Sequence, residues 1–279
     1  MLFTAPDIAR RLEAAEAIHL TRQIDAYRRL HPDRPAHAEA IAGGVAVATD
    51  VSFGRKLNHA VAAGMGGPVT VDDLVRLERL YDPQGLPTEV DLCPHADPGA
   101  LDALVRRNYR VNAFSNSFAR VLTDADLTPA PTPGVEIRRV GADEGERFVA
   151  ECVAGFSVQA HNRPTALLEV LARIALGRDD TTLYLALIDG KVAGSAGLAR
   201  LDTPDGPVAH LHIASTLPDY RGRGVQAALL DARLADARRA GLDFAGVSAR
   251  PTNTSARNAE RAGFRLAFTK PTFSRPPAP

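Results

Sequence analysis

Apolar positions change their spacing several times along the chain, and each change marks an element. Ile8, Leu12, Ala15, His19, Leu20, Ile24, Tyr27 and Leu30 recur at helical spacing, which predicts one long helix ending at His31-Pro32. Thr4, with Asp7 three residues on, offers a capping-box-like start, and Pro6 is tolerated in a first turn. Apolar residues flank Gly43-Gly44 across 38–49 and fit two short strands or one kinked strand. Residues 57–65 read as a strand leading into Gly66-Gly67-Pro68. A helix follows at 71–81, with Leu74, Leu77 and Leu80 on one face. A strand at 89–92, a helix at 98–107 and a strand at 110–121 complete this half.

Pro129, Pro131 and Pro133 make 123–134 the clearest linker in the chain. A second alternation follows it: a strand at 135–140, then helices at 143–155 and 164–177. Residues 182–188 and 191–200 form a hairpin, since Asp189-Gly190 suits a two-residue type I′ turn. The remaining elements are a strand at 208–216, a helix at 225–240, a strand at 244–249, a helix at 255–262 and a strand at 265–274. The proline-rich tail, 276–279, is expected to fray. The halves are also related in sequence. Tyr109 to Arg120 aligns without a gap on Phe264 to Arg275, and Val90-x-x-x-Pro94 matches Val247-x-x-x-Pro251. The expected organisation is an α/β fold with a mixed sheet, in tandem domains at 1–122 and 135–275.

Composition narrows the function classes. Thirty-three basic and 33 acidic residues cancel, so the chain lacks the footprint of a general nucleic-acid binder. Thirty of the basic residues are Arg, only Lys56, Lys191 and Lys270 are Lys, and there are 48 Ala. That bias suggests a GC-rich bacterial genome, which speaks to origin and not to mechanism. Cys93 and Cys152 have no partner spacing, which argues against a disulfide framework or a cysteine metal site. No basic segment precedes an apolar one at the N-terminus, and no run approaches about 18 apolar residues, so no membrane partner is expected and the cytoplasm is the expected location.

The chemistry concentrates in Ala209 to Gln226, AHLHIASTLPDYRGRGVQ, ahead of a predicted helix. Glycines let a backbone approach a ligand closely, and the free N–H groups of a helix start attract an anion. Arg221 and Arg223 add charge beside them, so a phosphate or pyrophosphate is the natural guest. A plain solvated Arg-Gly turn would carry the same residues. The spacing matches neither a P-loop nor a dinucleotide-binding fingerprint. His210 and His212 lie on one face of the strand, where they could serve as a base or merely pack.

This stretch resembles the coenzyme A loop of the GCN5-related N-acetyltransferases, R/Q-x-x-G-x-G/A at a strand-to-helix junction. Arg221 takes the first position and Gly224 the fourth, whereas Gln226 departs from the expected small residue. Ser255-x-Arg257-Asn258-x-Glu260-Arg261-x-Gly263-Phe264 resembles the family's last helix and closing Gly-Phe. The resemblance covers the C-terminal half, which it makes a complete acetyltransferase domain. The N-terminal half then looks like a degenerate copy, with Gly66-Gly67-Pro68 where the loop should be.

The resemblance implies transfer of an acetyl group from acetyl-CoA to a small-molecule or aminoacyl amine, without a metal. It assigns the pantetheine arm to the backbone of Ala214, Ser215 and Thr216. The pyrophosphate falls to Arg221, Gly222, Arg223, Gly224, Val225 and Gln226, with Asn253 and Asn258 as further contacts, although Asn253 equally suits a helix cap. Ala-His-Leu-His also resembles the His-x-His pair of arylalkylamine N-acetyltransferases, which makes His210 or His212 the candidate base. The family's acid, a Tyr, is replaced here by Ala259, and Ser255 is the first substitute. His161-Asn162-Arg163 falls where acceptor-binding residues are expected. The vacancy at 259 and the departure at 226 also suit a second reading, an acyl-CoA-binding sensor without turnover.

Overall fold

The computed structural model describes residues 4–157 and 164–278. The first helix, α1, runs Pro6–Leu30; its cap is Ala5, which makes no side-chain hydrogen bond, so the expected Thr4 capping box does not form. Strands β1 (His37–Ile41) and β2 (Gly44–Ala48) resolve the ambiguity at 38–49 as a hairpin. The predicted strand at 57–65 shrinks to β3, His59–Val61. The Asn58 side chain explains the loss. It accepts from Thr49 N–H at 2.6 Å and donates to the carbonyls of Asp50 and Gly54, closing the loop before the strand. Ala62 then turns left-handed, with φ 57°, and ends it.

Helix α2 is Val71–Tyr81, β4 is Thr88–Asp91, α3 is Gly99–Arg106 and β5 is Arg110–Val121. The second half adds β6 (Glu136–Arg139), α4 (Gly145–Ser157), α5 (Thr165–Leu176), β7 (Thr181–Ile188), β8 (Lys191–Thr203) and β9 (Gly206–Thr216). It ends with α6 (Val225–Arg239), β10 (Phe244–Ala249), α7 (Thr254–Arg261) and β11 (Arg265–Arg275). Asp189 and Gly190 take φ values of 51° and 72°, as a type I′ turn requires. The start of the proline-rich stretch is folded: Asp124–Leu127 is a 3-10 helix, tied to α6 by an Arg238–Asp124 ion pair at 2.7 Å.

All strands join one mixed sheet, ordered β1-β2-β3-β4-β11-β5-β10-β9-β8-β7-β6. The two sequence-related strands, β5 and β11, lie side by side and antiparallel at its centre. Each has crossed over. β11, last in the chain, pairs with β4 of the first half, and β5 pairs with β10 of the second. Alternation then sorts the side chains. On β7, Leu183, Leu185 and Leu187 meet α4 and α5, whereas Tyr184, Ala186 and Ile188 meet α6. Helices α2 and α3 cover the first half on the face that α6 covers in the second.

Helix α1 lies on the other face and spans both halves. Ile8 and Leu12 pack on Val208, Phe244 and Phe268, while Leu20 and Ile24 pack on Val45, Val47 and Val61. Between these apolar contacts sits a buried ionic cluster. Lys270 of β11 is 1% exposed, lies 2.9 Å from Glu13 and pairs with Glu16, both on α1. Burial works against a charged ammonium, but the two carboxylates outweigh it and hold the Lys270 pKa above its usual value. Removing the ammonium would leave two carboxylates buried without it, which costs about 3–5 kcal/mol. Lys270→Ala is therefore expected to lower the urea midpoint by that equivalent, and an unchanged midpoint would show that the cluster does not hold α1 in place.

Candidate functional site

Strand β9 pairs with β10 at only two positions, Ala209 with Ala245 and His210 with Gly246. β10 continues to Ala249 against β5, while β9 continues to Thr216 against β8. From Leu211 onward the side of β9 that faces β10 therefore has no strand partner among the described residues. A bulge accompanies the parting. The β8–β9 register shifts between Ser195 and Gly197, and Ile213 takes φ 47°, an unusual conformation for a β-branched residue. Past it, Ala214 packs toward α6 and the Ser215 hydroxyl lies 3.1 Å from that of Ser195. Helix α4 presses on this point with Gly155, where any Cβ would overlap the Ser215 side chain.

The segment after β9 makes a 3-10 turn at Pro218–Tyr220, passes through Arg221 to Gly224 and enters α6. Gly222 and Gly224 adopt φ values of 75° and 79°, left-handed conformations that favour glycine. Gly224 is the cap of α6 and has no side chain to satisfy the first turn. The N–H groups of Gly222 through Ala227 thus have no acceptor among the described residues. Arg221 and Arg223 are exposed without an acidic partner among those residues, and Arg223 lies 5.6 Å from the Tyr220 ring centroid. Gln226 behaves differently. Its Nε2 donates to the Ser215 carbonyl at 2.9 Å and the Thr216 hydroxyl at 2.8 Å, stitching the helix start to the end of β9.

The corresponding turn of the first half is closed. Gly66 N–H donates to the Ala42 carbonyl at 2.8 Å, and Gly66 packs directly on Gly43 of the β1–β2 hairpin. Helix α2, which follows, satisfies its own start: Thr70 accepts from Asp73 N–H, and Asp73 accepts from Thr70 N–H. Of the two comparable turns, the one before α6 is left with free donors.

His210 and His212 project together from β9 onto the α1 face, and a third ring meets them there. His19 of α1 lies 4.4 Å from His210 and 4.7 Å from His212 between ring centroids. Burial pushes His210 down to about 4, and pushes His19 and His212 well below the usual imidazole value. An ordinary imidazole near 6.5 was the sequence-based expectation for the base. Desolvation by α1, a helix from the other half of the chain, is the reason for the difference. The rings are neutral near pH 7, and His212 Nε2 is buried without a hydrogen-bond partner among the described residues.

The remaining candidates separate from this cluster. Asn253 caps α7, accepting from Ser255 N–H at 3.2 Å, so its side chain is engaged in the capping role. Ser255 is exposed on the first turn of α7, with no contact to the histidines, and Asn258 is half-buried on the same helix. Ala259 is buried in the core beneath α6. His161, Asn162 and Arg163 lie outside the described residues. Among the described residues no cluster of three or more His, Cys, Asp or Glu is arranged to hold a metal ion. His19 was visible in the sequence only as one polar member of an apolar helical stripe, with nothing local to connect it to position 210.

Residues 149–264 match the family model described as the acetyltransferase (GNAT) family. No curated protein matches the chain. Among solved structures, the chain is similar to a GCN5-related N-acetyltransferase from Kribbella flavida, at 19% identity and a TM-score of 0.62, covering 94% of this chain and 96% of that one. It is also similar to a tandem GNAT protein from the clavulanic acid biosynthesis pathway, at 12% identity and a TM-score of 0.60, covering 96% and 98%. A functionally unknown conserved protein from Staphylococcus epidermidis matches at 11% identity and a TM-score of 0.59, covering 90% and 98%. These likenesses establish the fold as a tandem one.

The buried imidazoles set a pH dependence of stability. His59 of β3, like His210, is held near 4 by burial. The unfolded chain protonates these rings near 6.5 and the folded chain does not, so stability is complete above about pH 6.5 and falls as the pH drops toward 4. Each such ring is expected to contribute a loss of roughly 1–2 kcal/mol between pH 7 and pH 5. In denaturant titrations His210→Gln should lose correspondingly less over that interval, and an identical pH slope would show that His210 is not desolvated.

Proposed function

With residues 149–264 a domain of the GNAT acetyltransferase family and the whole chain a tandem arrangement of that fold, we propose that the protein is an N-acetyltransferase. It transfers an acetyl group from acetyl-CoA to the amine of a small-molecule or aminoacyl acceptor, and the chemistry belongs to the second half. One observation carries the reading: the unpaired edge of β9 leads from the buried His210 and half-buried His212 imidazoles to the free N–H groups of Gly222–Ala227. A polar, extended ligand with an anionic end fits that combination. The closed turn at Gly66 and the self-capped start of α2 deny the first half an equivalent site.

Acetyl-CoA supplies an activated thioester when bound. Arg221, Arg223 and the N–H groups of the loop would hold its pyrophosphate, and the open backbone of Ala214, Ser215 and Thr216 would hold its pantetheine arm. A backbone N–H there would also polarise the thioester oxygen. The Gln226 amide already occupies the Ser215 carbonyl, so this contact must be shared or released on binding. His210, neutral because it is buried, accepts the proton of the incoming amine, and His212 orients it. A thiol with pKa about 8.5 leaves without a strong acid, which makes the substitution by Ala259 tolerable and leaves Ser255 a minor part.

A second reading is favoured by Gln226 itself. A side chain that ties down β9 suits a protein that binds acyl-CoA as a signal and does not turn it over. Thiol release from acetyl-CoA with a panel of primary amines distinguishes the two, because only the transferase reading requires it.

Two variants test the assignment. Arg221→Ala combined with Arg223→Ala is expected to weaken acetyl-CoA binding more than about tenfold in calorimetry, since charge-assisted phosphate contacts contribute about 1.5–3 kcal/mol each. Equal affinity would remove the anion site from this loop. His210→Gln is expected to lower kcat/KM by about 10²–10⁴-fold with acetyl-CoA affinity nearly unchanged. The acid limb of the wild-type rate profile should then bend near pH 4, where His210 titrates, and not near the ordinary imidazole value. Wild-type rates in both His210→Gln and His212→Gln would make the two rings structural.

A further inference from the structure

His19 makes a contact that its partners on β9 do not. Its Nδ1 lies 3.0 Å from Nη1 of Arg178, which stands between α5 and β7. Arginine has only donors, so Nδ1 must be the unprotonated acceptor. The single ring hydrogen of neutral His19 is therefore on Nε2. Arg178 is itself held: it is 5% exposed and grips Asp180 with both Nε and Nη2, at 2.9 and 2.8 Å. Arg22 of α1 reaches the same carboxylate at 2.6 Å. The order Asp180, Arg178, His19 is thus a fixed chain of polar contacts that ends beside His210 and His212.

We infer that His19, supplied by the first half of the chain, is a positioning residue of the proposed transferase site, its tautomer set by Arg178 so that its ring hydrogen is on Nε2 while the ring packs 4.4 and 4.7 Å from those of His210 and His212. The inference rests on the reading of His210 or His212 as the base. With Nδ1 engaged, His19 has no free lone pair and cannot be the base itself. A neutral ring of defined tautomer packed on His210 and His212 fixes their orientation and biases which nitrogen of each keeps its lone pair, and an imidazole in the wrong tautomer cannot accept the amine proton. The groups facing the three rings support neutrality. Arg178 and, behind His212, Arg233 of α6 disfavour a further positive charge. Glu16 and Asp180 pull the other way on His210, but burial outweighs them, Glu16 being paired with Lys270 and bonded to Ser248 and Asp180 held by its two arginines. The site of the second half is on this view incomplete without helix α1 of the first.

The test uses the full chain labelled with 15N-histidine, together with His19→Gln, His19→Leu and Arg178→Met. A glutamine amide can accept from Arg178 and donate on its other side, which leucine cannot. In the wild type the His19 ring is expected to carry its proton on Nε2 at pH 7, and Arg178→Met should populate the Nδ1–H form. The ring signals of His210 and His212 should shift in His19→Leu and stay close to wild type in His19→Gln. Thiol release from acetyl-CoA, to the best amine of the panel or to water where no amine serves, should fall about 10–100-fold in kcat for His19→Leu and recover in His19→Gln. A proton on Nδ1 of His19, or His210 and His212 signals unmoved by His19→Leu, would overturn the inference. Should Arg178→Met fail to fold, the two His19 variants decide alone. Calorimetry with acetyl-CoA separates this from the parent reading: no binding by the wild type defeats the transferase, whereas intact binding with unmoved signals defeats only the role of His19.

Discussion

The buried ammonium of Lys270, between Glu13 and Glu16, is the contact on which the arrangement of the two halves depends. Charges enter a protein interior at a cost of several kcal/mol each, and they stay only when partners are held in place. Here the partners come from the first helix and the last strand of the chain. Neither half contains the whole cluster. Fixing α1 across the sheet also decides what becomes of β9, because the same helix that carries Glu16 carries His19 one turn later and lays it over His210.

That placement turns two strand histidines into a desolvated pair. On an exposed strand they would titrate near the ordinary imidazole value and be partly charged in mildly acid solution. Under α1 they are neutral, and one of them has a buried ring nitrogen with no hydrogen-bond partner among the described residues. The loop before α6 is the opposite kind of feature. It is exposed, its donors are free, and its arginines point at no carboxylate among the described residues. Neutral imidazoles at one end of the strand and an exposed turn with free donors at the other are opposite environments, and the parting of β9 from β10 leaves an open strand edge between them.

The two halves of the molecule diverged at the level of backbone hydrogen bonds. In the first half the turn after β3 donates to the neighbouring hairpin, and Thr70 with Asp73 satisfies the next helix start. In the second half a glycine stands at the cap, so the same donors are left over. The first half contributes in another way, by giving up β5 to the second and receiving β11 in return. The exchange makes one continuous sheet, with α1 free to lie over both parts of it.

Much of this was legible in the residues. Period and turn chemistry located most helices and strands, because amphipathic spacing and Asp-Gly or proline-rich breaks act within a few positions. The loop Arg221–Gly224 was legible for the same reason: a glycine cap with flanking arginines is a local device. The repeat of 109–120 at 264–275 announced two related strands, though not that they would lie side by side and trade places. Position 57–65 was misread because the Asn58 side chain, not a neighbouring strand, takes the hydrogen bonds. The sequence by itself thus determined most of the elements, the glycine-arginine loop and the pairing of the two histidines on one strand face. Only the tertiary structure decided that His19 and Arg178 stand beside that pair, that its rings are neutral, and that Gln226 binds the end of β9. Those properties arise from desolvation and from contacts between residues as far apart as 19 and 210, and no spacing along the chain encodes them.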